Sequence, residues 1–275
     1  MPIAWVEPDT PLPDISRTSP DGLVAAGRDL SPARLQEAYR KSLFPWYSPG
    51  EPVLWWSPDP RMILRCQDLR ISRSLNKRIR QFGRDPADDT PSHTAAGSLC
   101  VTLNQAFSDV IAHCAHRGAP RISLGAARLG QYEAVPTDMH DATWITPDIM
   151  QVYAAWHRMG RVHSVETWID GRLAGGLYGV SLGRCFFGES MFSLATDASK
   201  VALAYLVRYL QTQGVPWIDC QQETPHLASL GARPIPRAQF LDLLADGRDA
   251  PAPIWGRGRL LADGRLIADH TPPSG

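Results

Sequence analysis

Pro216-Trp217-Ile218-Asp219-Cys220-Gln221-Gln222 is the stretch on which the reading of this chain turns. Gly214 bounds it, and its length and apolar content predict a buried strand. Alternation along a strand puts Trp217, Asp219 and Gln221 on one face and Ile218 and Cys220 on the other. A carboxylate inside a strand needs a partner or a use, because burying it bare is costly. By spacing alone, Asp219 and Gln221 are either a structural hydrogen-bonded pair or a catalytic one. Cys220 points away from Asp219, which speaks against a thiol nucleophile.

Working outward, the residues before this strand predict a long helix from Thr196 or Asp197 to Gln213. Its apolar positions are Val201, Leu203, Leu206, Val207 and Leu210, and Gly214 closes it. Ahead of it lie three predicted strands, His163–Ile169, Arg172–Val180 and Arg184–Phe192. Asp170-Gly171 between the first two is a hairpin signal. Gly175, Gly176 and Gly179 in the second mean that something approaches its backbone closely. A strand–helix–strand crossover makes Arg184–Phe192 and Pro216–Gln221 parallel neighbours. The expected class is α+β with a mixed sheet.

Farther upstream, Thr146 and Pro147 open a helix whose buried stripe is Ile149, Val152, Tyr153 and Trp156. Val101–Leu103 is a short strand, and Asn104 is expected to cap a helix running to His116. Residues 1–30 read as irregular. Ser31 and Pro32 start a helix with Leu35, Ala38 and Tyr39 inward. The stretch Phe44 to Pro58 interleaves aromatics with prolines and is expected to form no regular element, since proline removes donors. It is either a packed aromatic loop or a stacking surface at a pocket mouth. Arg61–Arg65 is a short strand and the expected start of a second domain. This gives a small domain over 1–60 and a larger one over 61–275. From Arg61 to Arg84 eight basic side chains face Asp68 alone, either a solvated face or a phosphate-tracking patch. Residues 85–98 and 117–141 read as loops, 236–245 as a helix, and the tail after Asp246 as Gly/Pro-rich.

Composition narrows the class. With 44% hydrophobic and 20% charged residues, the 275-residue chain reads as a soluble globular enzyme. A formal net charge of +0 argues against a DNA-coating protein, although not against a local basic patch. The five cysteines are scattered with no C-x-x-C, so reduced thiols in the cytoplasm are expected. There is no basic start followed by an apolar core, so no signal peptide is expected, and no long apolar run to span a membrane. His113, Cys114 and His116 lack a second ligand cluster, so no metal is expected. Neither G-x-x-x-x-G-K nor G-x-G-x-x-G occurs, and no cofactor is expected.

Phe186-Phe187-Gly188-Glu189-Ser190-Met191-Phe192 ends the third strand and puts Glu189 beside Asp219 and Gln221. Two carboxylates and an amide framed by Phe and Met describe an apolar pocket with a small polar end. Such a pocket suits an apolar side chain plus an amine, whose proton the carboxylates help to remove.

These residues carry a resemblance. DGLVAAGRDLSPARLQEAY (21–39), FPWYSPGEPVLWWSPDPR (44–61), TWIT (143–146), GGLYGV (175–180), FFGESMFS (186–193) and IDCQ (218–221) resemble the leucyl/phenylalanyl-tRNA–protein transferase family. The likeness runs from about Asp21 to Leu244; residues 85–98, 117–141 and the tail after about 250 look like additions. The resemblance implies a GNAT-type acyltransferase domain that splays two parallel strands around its donor. It implies transfer of Leu or Phe from aminoacyl-tRNA to the α-amino group of proteins beginning with Arg or Lys, marking them for N-end-rule degradation. Such an enzyme is expected to be a cytoplasmic monomer with no membrane partner. Carried over by position, Asp219 and Gln221 match the catalytic pair, and Glu189 the acidic residue of the acceptor site. Trp46 and Trp144 match the aromatics that hold the tRNA 3′ adenosine, with Tyr39 and Tyr153 nearby. Leu177 and Phe186 match the lining of the donor side-chain pocket, Leu177 where some relatives have methionine. Two other readings stay in view: an acyl-CoA N-acetyltransferase, although the pyrophosphate loop Q/R-x-x-G-x-G/A is missing, and a non-catalytic module binding tRNA ends or N-terminal Arg peptides.

Overall fold

The computed structural model describes residues 3–82, 98–116 and 144–269. The loops read at 85–98 and 117–141 lie, but for Ser98, outside the described residues. The first part holds β1 (Ala4–Val6), β2 (Leu23–Gly27), α1 (Pro32–Arg40), β3 (Phe44–Pro45) and β4 (Val53–Trp56). Then come β5 (Arg61–Arg65), α2 (Arg73–Phe82), β6 (Leu99–Leu103), α3 (Phe107–Ala115), α4 (Pro147–Arg158), β7 (Val162–Ile169), β8 (Arg172–Leu182) and β9 (Cys185–Ser193). The chain continues with α5 (Ala198–Thr212), β10 (Trp217–Gln221), α6 (Pro225–Ser229), β11 (Arg233–Ile235), α7 (Arg237–Gly247), β12 (Gly258–Leu260) and β13 (Leu266–Ala268).

Among the described residues the strands make two mixed sheets. One has the order β1-β2-β4-β3, with β1 parallel to β2 and the rest antiparallel. The other runs β11-β5-β10-β9-β8-β7-β6-β12-β13, antiparallel throughout except for the parallel pair β9 and β10. That parallel pair follows from the α5 crossover, as the sequence predicts. The glycines of β8 also meet their expectation. A Cβ on Gly175 would lie 2.6 Å from the Ala198 Cβ, so the start of α5 sits against bare backbone.

Two apolar cores flank the large sheet. On one face α1, α3 and α4 bring Leu35, Tyr39, Val110, Ile149 and Trp156 onto Tyr178, Phe187 and Trp217. On the other, α2 and α5 bring Leu75, Ile79, Leu203 and Leu206 onto Leu64, Leu177, Phe186 and Ile218. Successive residues Trp217 and Ile218 thus belong to different cores, as strand alternation requires.

Three local expectations need correcting. Residues 1–30 are not irregular throughout, because β1 and β2 form there. The aromatic–proline stretch contains β4, whose Val53 and Trp55 are buried and whose Leu54 and Trp56 are half-buried. No proline falls within Val53–Trp56, and Pro45 lies in β3 at the edge of the sheet, where proline is tolerated. Asn104 does not cap α3. It lies at φ 59°, accepts from the Ser164 N–H at 3.1 Å and donates to the Gly256 carbonyl at 2.8 Å. The N–H groups of Gln105 and Ala106 instead reach the Glu166 carboxylate from β7, each at 3.4 Å. The Gly/Pro-rich tail, as read, also adds β12 and β13 to the sheet edge beyond β6.

Candidate active site

β9 and β10 stay in register at only two points, Ile218 with Phe186 and Asp219 with Phe187. Past these points each strand is irregular. On β9 the pairing with β8 steps from Tyr178–Ser190 to Gly179–Gly188, so Glu189 is an extra residue. On β10 the pairing with β5 steps from Asp219–Ile63 to Gln221–Met62, leaving out Cys220, and Gln221 adopts φ 56°. β-bulges bend a strand and re-aim its side chains. Here two of them stand where the parallel strands part.

Between them lies a cavity of about 360 Å³, within the range of small-molecule sites. Its apolar wall includes Leu177, Phe186, Met191, Leu203, Leu206 and Ile218. These side chains pack with the core on the α5 side. Phe44 and Trp144, also on the wall, belong to the opposite core. The cavity therefore passes through the sheet at the point where its strands separate.

Glu189 and Gln221 supply polar groups to this cavity. The Glu189 carboxylate accepts from the Tyr39 hydroxyl at 2.7 Å, the Tyr153 hydroxyl at 3.3 Å and the Gln221 side-chain amide at 3.3 Å. Tyr39 and Tyr153 are also 2.7 Å apart, oxygen to oxygen. Burial raises the Glu189 carboxyl to a pKa of about 8, and the charge of Asp219 adds to that shift, whereas the tyrosine hydrogen bonds and Arg61 oppose it. Burial, reinforced by the charge of Glu189, holds both tyrosines well above the ordinary phenol range, so they remain donors.

Asp219 is differently placed from the sequence expectation. It is fully buried and does not line the cavity, whereas Ile218, Cys220 and Gln221 do. The bulge breaks the alternation that would have set Asp219 and Gln221 on one face. Arg61 grips the Asp219 carboxylate with two parallel bonds, Nε to Oδ1 at 2.9 Å and Nη2 to Oδ2 at 2.7 Å. Oδ1 also accepts from the backbone N–H of Gln221 at 2.9 Å, tying the left-handed residue to the ion pair. Arg61 donates further to the Ser42 carbonyl at 3.1 Å and lies over the rings of Phe44 and Phe240 at 4.9 and 4.6 Å. The Cys220 thiol is pushed far up by burial and by the charge of Asp219, the opposite of an activated nucleophile.

The aromatic candidates separate into two groups. Trp46 and Trp144 line the cavity and also a second recess of about 280 Å³ shared with Tyr47 and Trp56. Trp46 is 42% exposed; its backbone carbonyl accepts from the Trp56 indole at 2.7 Å. Tyr39 and Tyr153 are buried and stand behind Glu189 instead of on the wall. Arg61 is the residue that sequence reasoning missed, having been counted with the basic run. The signal was there: a charge at the head of the apolar strand Arg61-Met62-Ile63-Leu64 needs a buried partner. Among the described residues, no group of His, Cys, Asp or Glu is arranged to hold a metal ion.

A family model described as "Leucyl/phenylalanyl-tRNA protein transferase" matches residues 130–245, and one for the N-terminal domain of the same proteins matches 28–59. A "Leucyl/phenylalanyl-tRNA--protein transferase" of Bordetella petrii is 51% identical over 97% of this chain and 96% of its own length. One of Ralstonia pickettii with the same description is 47% identical over 91% of each chain. A solved structure titled "The structure of L-PGS from Bacillus licheniformis" aligns over 88% of this chain and 68% of its own, with 10% identity and a TM-score of 0.30, too distant to carry an argument.

Proposed function

Since the chain belongs to the leucyl/phenylalanyl-tRNA–protein transferase family, we propose that its cavity receives the leucyl or phenylalanyl group of an aminoacyl-tRNA and passes it to a protein beginning with Arg or Lys. The protein is an aminoacyltransferase, and neither the acyl-CoA nor the non-catalytic reading is favoured by these relatives. The observation that carries the assignment is a mainly apolar cavity between diverging parallel strands with Glu189 and Gln221 on its wall. That divergence also supports a GNAT-type domain over 61–275. The break between the sheets, after Trp56 and before Arg61, supports a small domain over 1–60.

In this reading Leu177 and Phe186 contact the donor side chain, and Trp46 and Trp144 hold the terminal adenosine. The incoming α-amino nitrogen attacks the ester carbonyl, the new C–N bond forms, and the C–O bond to the ribose breaks. The ribose oxygen leaves with the proton that the amine gives up. The ester is already activated, so alignment supplies much of the rate. An α-amino group has a pKa of about 7.7–8.0, so a useful fraction is neutral at neutral pH. Gln221 orients the amine. Asp219 is a positioning residue, holding the Gln221 backbone through the ion pair with Arg61. Glu189 takes the guanidinium or ammonium of the acceptor's first side chain, and Tyr39 and Tyr153 fix its carboxylate. The exposed side chains Arg65, Arg70, Arg73, Lys77 and Arg80, on and before α2, offer a surface for tRNA phosphates. A cytoplasmic monomer without a membrane partner fits this role.

Incubation with radiolabelled Leu-tRNA and model proteins beginning with Arg, Lys or Ala tests the reading. Label is expected on the Arg and Lys acceptors and not on the Ala acceptor. No label on any of them overturns it.

A further inference from the structure

The C-terminal segment after α7 lies beyond residues 130–245 matched by the family model, yet it reaches the cavity wall from behind. Its Trp255 ring lies 5.5 Å from the Phe186 ring, and Phe186 lines the cavity. The indole is itself held firmly. It stacks on His163 at 4.0 Å with 7° between planes, meets Tyr209 at 5.4 Å, and donates from Nε1 to the Ser181 hydroxyl at 2.8 Å. The backbone on either side is anchored too: the Ile254 carbonyl accepts from the Tyr209 hydroxyl, and the Gly256 carbonyl from Asn104. Elsewhere the Phe186 ring occupies space left by a missing side chain, since a Cβ on Gly179 would come within 2.6 Å of two of its carbons. Phe186 is therefore confined by bare backbone at Gly179 and by the indole of Trp255.

We propose that Trp255 is a specificity-determining residue that sets the depth of the donor pocket by fixing the Phe186 ring. This rests on the proposed function above. A buried aromatic ring with space behind it tilts or withdraws, and a pocket that deepens by about one methylene changes selection by roughly 10–200-fold. Removing the indole lets Phe186 withdraw, which favours the larger donor side chain. The effect falls on the choice between Phe and Leu; a merely structural role would lower both transfers together.

The test is the ratio of kcat/KM for Phe-tRNA to that for Leu-tRNA with one Arg-starting acceptor. Trp255→Ala is expected to raise the ratio about tenfold. Trp255→Phe, which keeps a flat apolar filler, is expected to hold the ratio near that of the unmodified protein. Ile254→Ala, at a side chain 81% exposed on the same segment, is expected to leave it unchanged. Should Trp255→Ala not fold, Trp255→Leu is read by the same criterion. An unmoved ratio in the folded variant, or an equal shift in Ile254→Ala, overturns the inference while leaving the activity in place. Failure of the unmodified protein to use either tRNA overturns the functional reading and the inference together.

Discussion

Glu189 is a carboxyl whose environment disfavours its charge. Its folded pKa of about 8 lies above the ordinary value of 4.5, so between these pH values the native protein binds more protons than the unfolded chain. The stability it contributes is fully present below about 4.5 and is lost as pH rises through about 8. Glu189→Gln should thus flatten the melting temperature between pH 5 and 8 relative to the unmodified protein, and should also erase the preference for Arg over Ala acceptors. Thermal melts and the labelling assay read the two effects separately. Asp219 and Arg61 make the opposite kind of site, both charges buried and mutually satisfied. Removing one partner alone strands the other charge, so Asp219→Ala should destabilise by about 3–5 kcal/mol. The double variant Arg61→Met with Asp219→Leu should lose much less than the sum of the single changes in denaturant unfolding. Under conditions where it is folded, Asp219→Asn should lower turnover while retaining aminoacyl-tRNA affinity, because an amide nitrogen set against Arg61 Nη2 breaks up the ion pair that holds the oxygen anchoring Gln221.

Among the elements, β8, β9 and β10 define the site by where they pair and where they stop pairing. The meander was legible in the sequence because Asp170-Gly171 marks a turn and the flanking residues have β-branched and aromatic character. The parallel relation of β9 and β10 was legible as well, through α5. The bulges at Glu189 and Cys220 were not, since a bulge is a property of two strands and alternation in one strand is silent about it. α5 can lie so close to β8 because Gly175 has no side chain. Gly175→Val should force the helix outward and destabilise the protein by about 1–3 kcal/mol, read as a lower denaturant midpoint with little change in slope.

Across the whole molecule, charge is distributed unevenly despite a formal net charge of +0. The exposed basic side chains of α2 face little local acid; Arg78, which is half-buried, reaches Asp197 at 3.8 Å, whereas Arg73, Lys77 and Arg80 point to solvent. If these meet tRNA phosphates, Lys77→Ala should weaken tRNA binding at low salt and reduce the slope of log affinity against log salt by about 1. Filter binding at several salt concentrations checks this, with thermal melts expected to be unchanged. Among the described residues, no helix is long and apolar enough to cross a membrane.

What the sequence by itself determined is the set of elements with strong local signatures: α1 and α4 behind their capped prolines, the β7–β8–β9 meander, and the α5 crossover into β10. It also singled out Glu189, Asp219 and Gln221, because an acid or amide in an apolar strand is conspicuous wherever it falls. What only the tertiary structure decided is which partners those side chains meet. Arg61 reaches Asp219 across 158 positions, Tyr39 reaches Glu189 across 150, and Trp255 comes up behind Phe186 from the far end of the chain. Local periodicity reports which face a residue presents, but a partner that distant is chosen by packing, and packing exists only once the chain has folded.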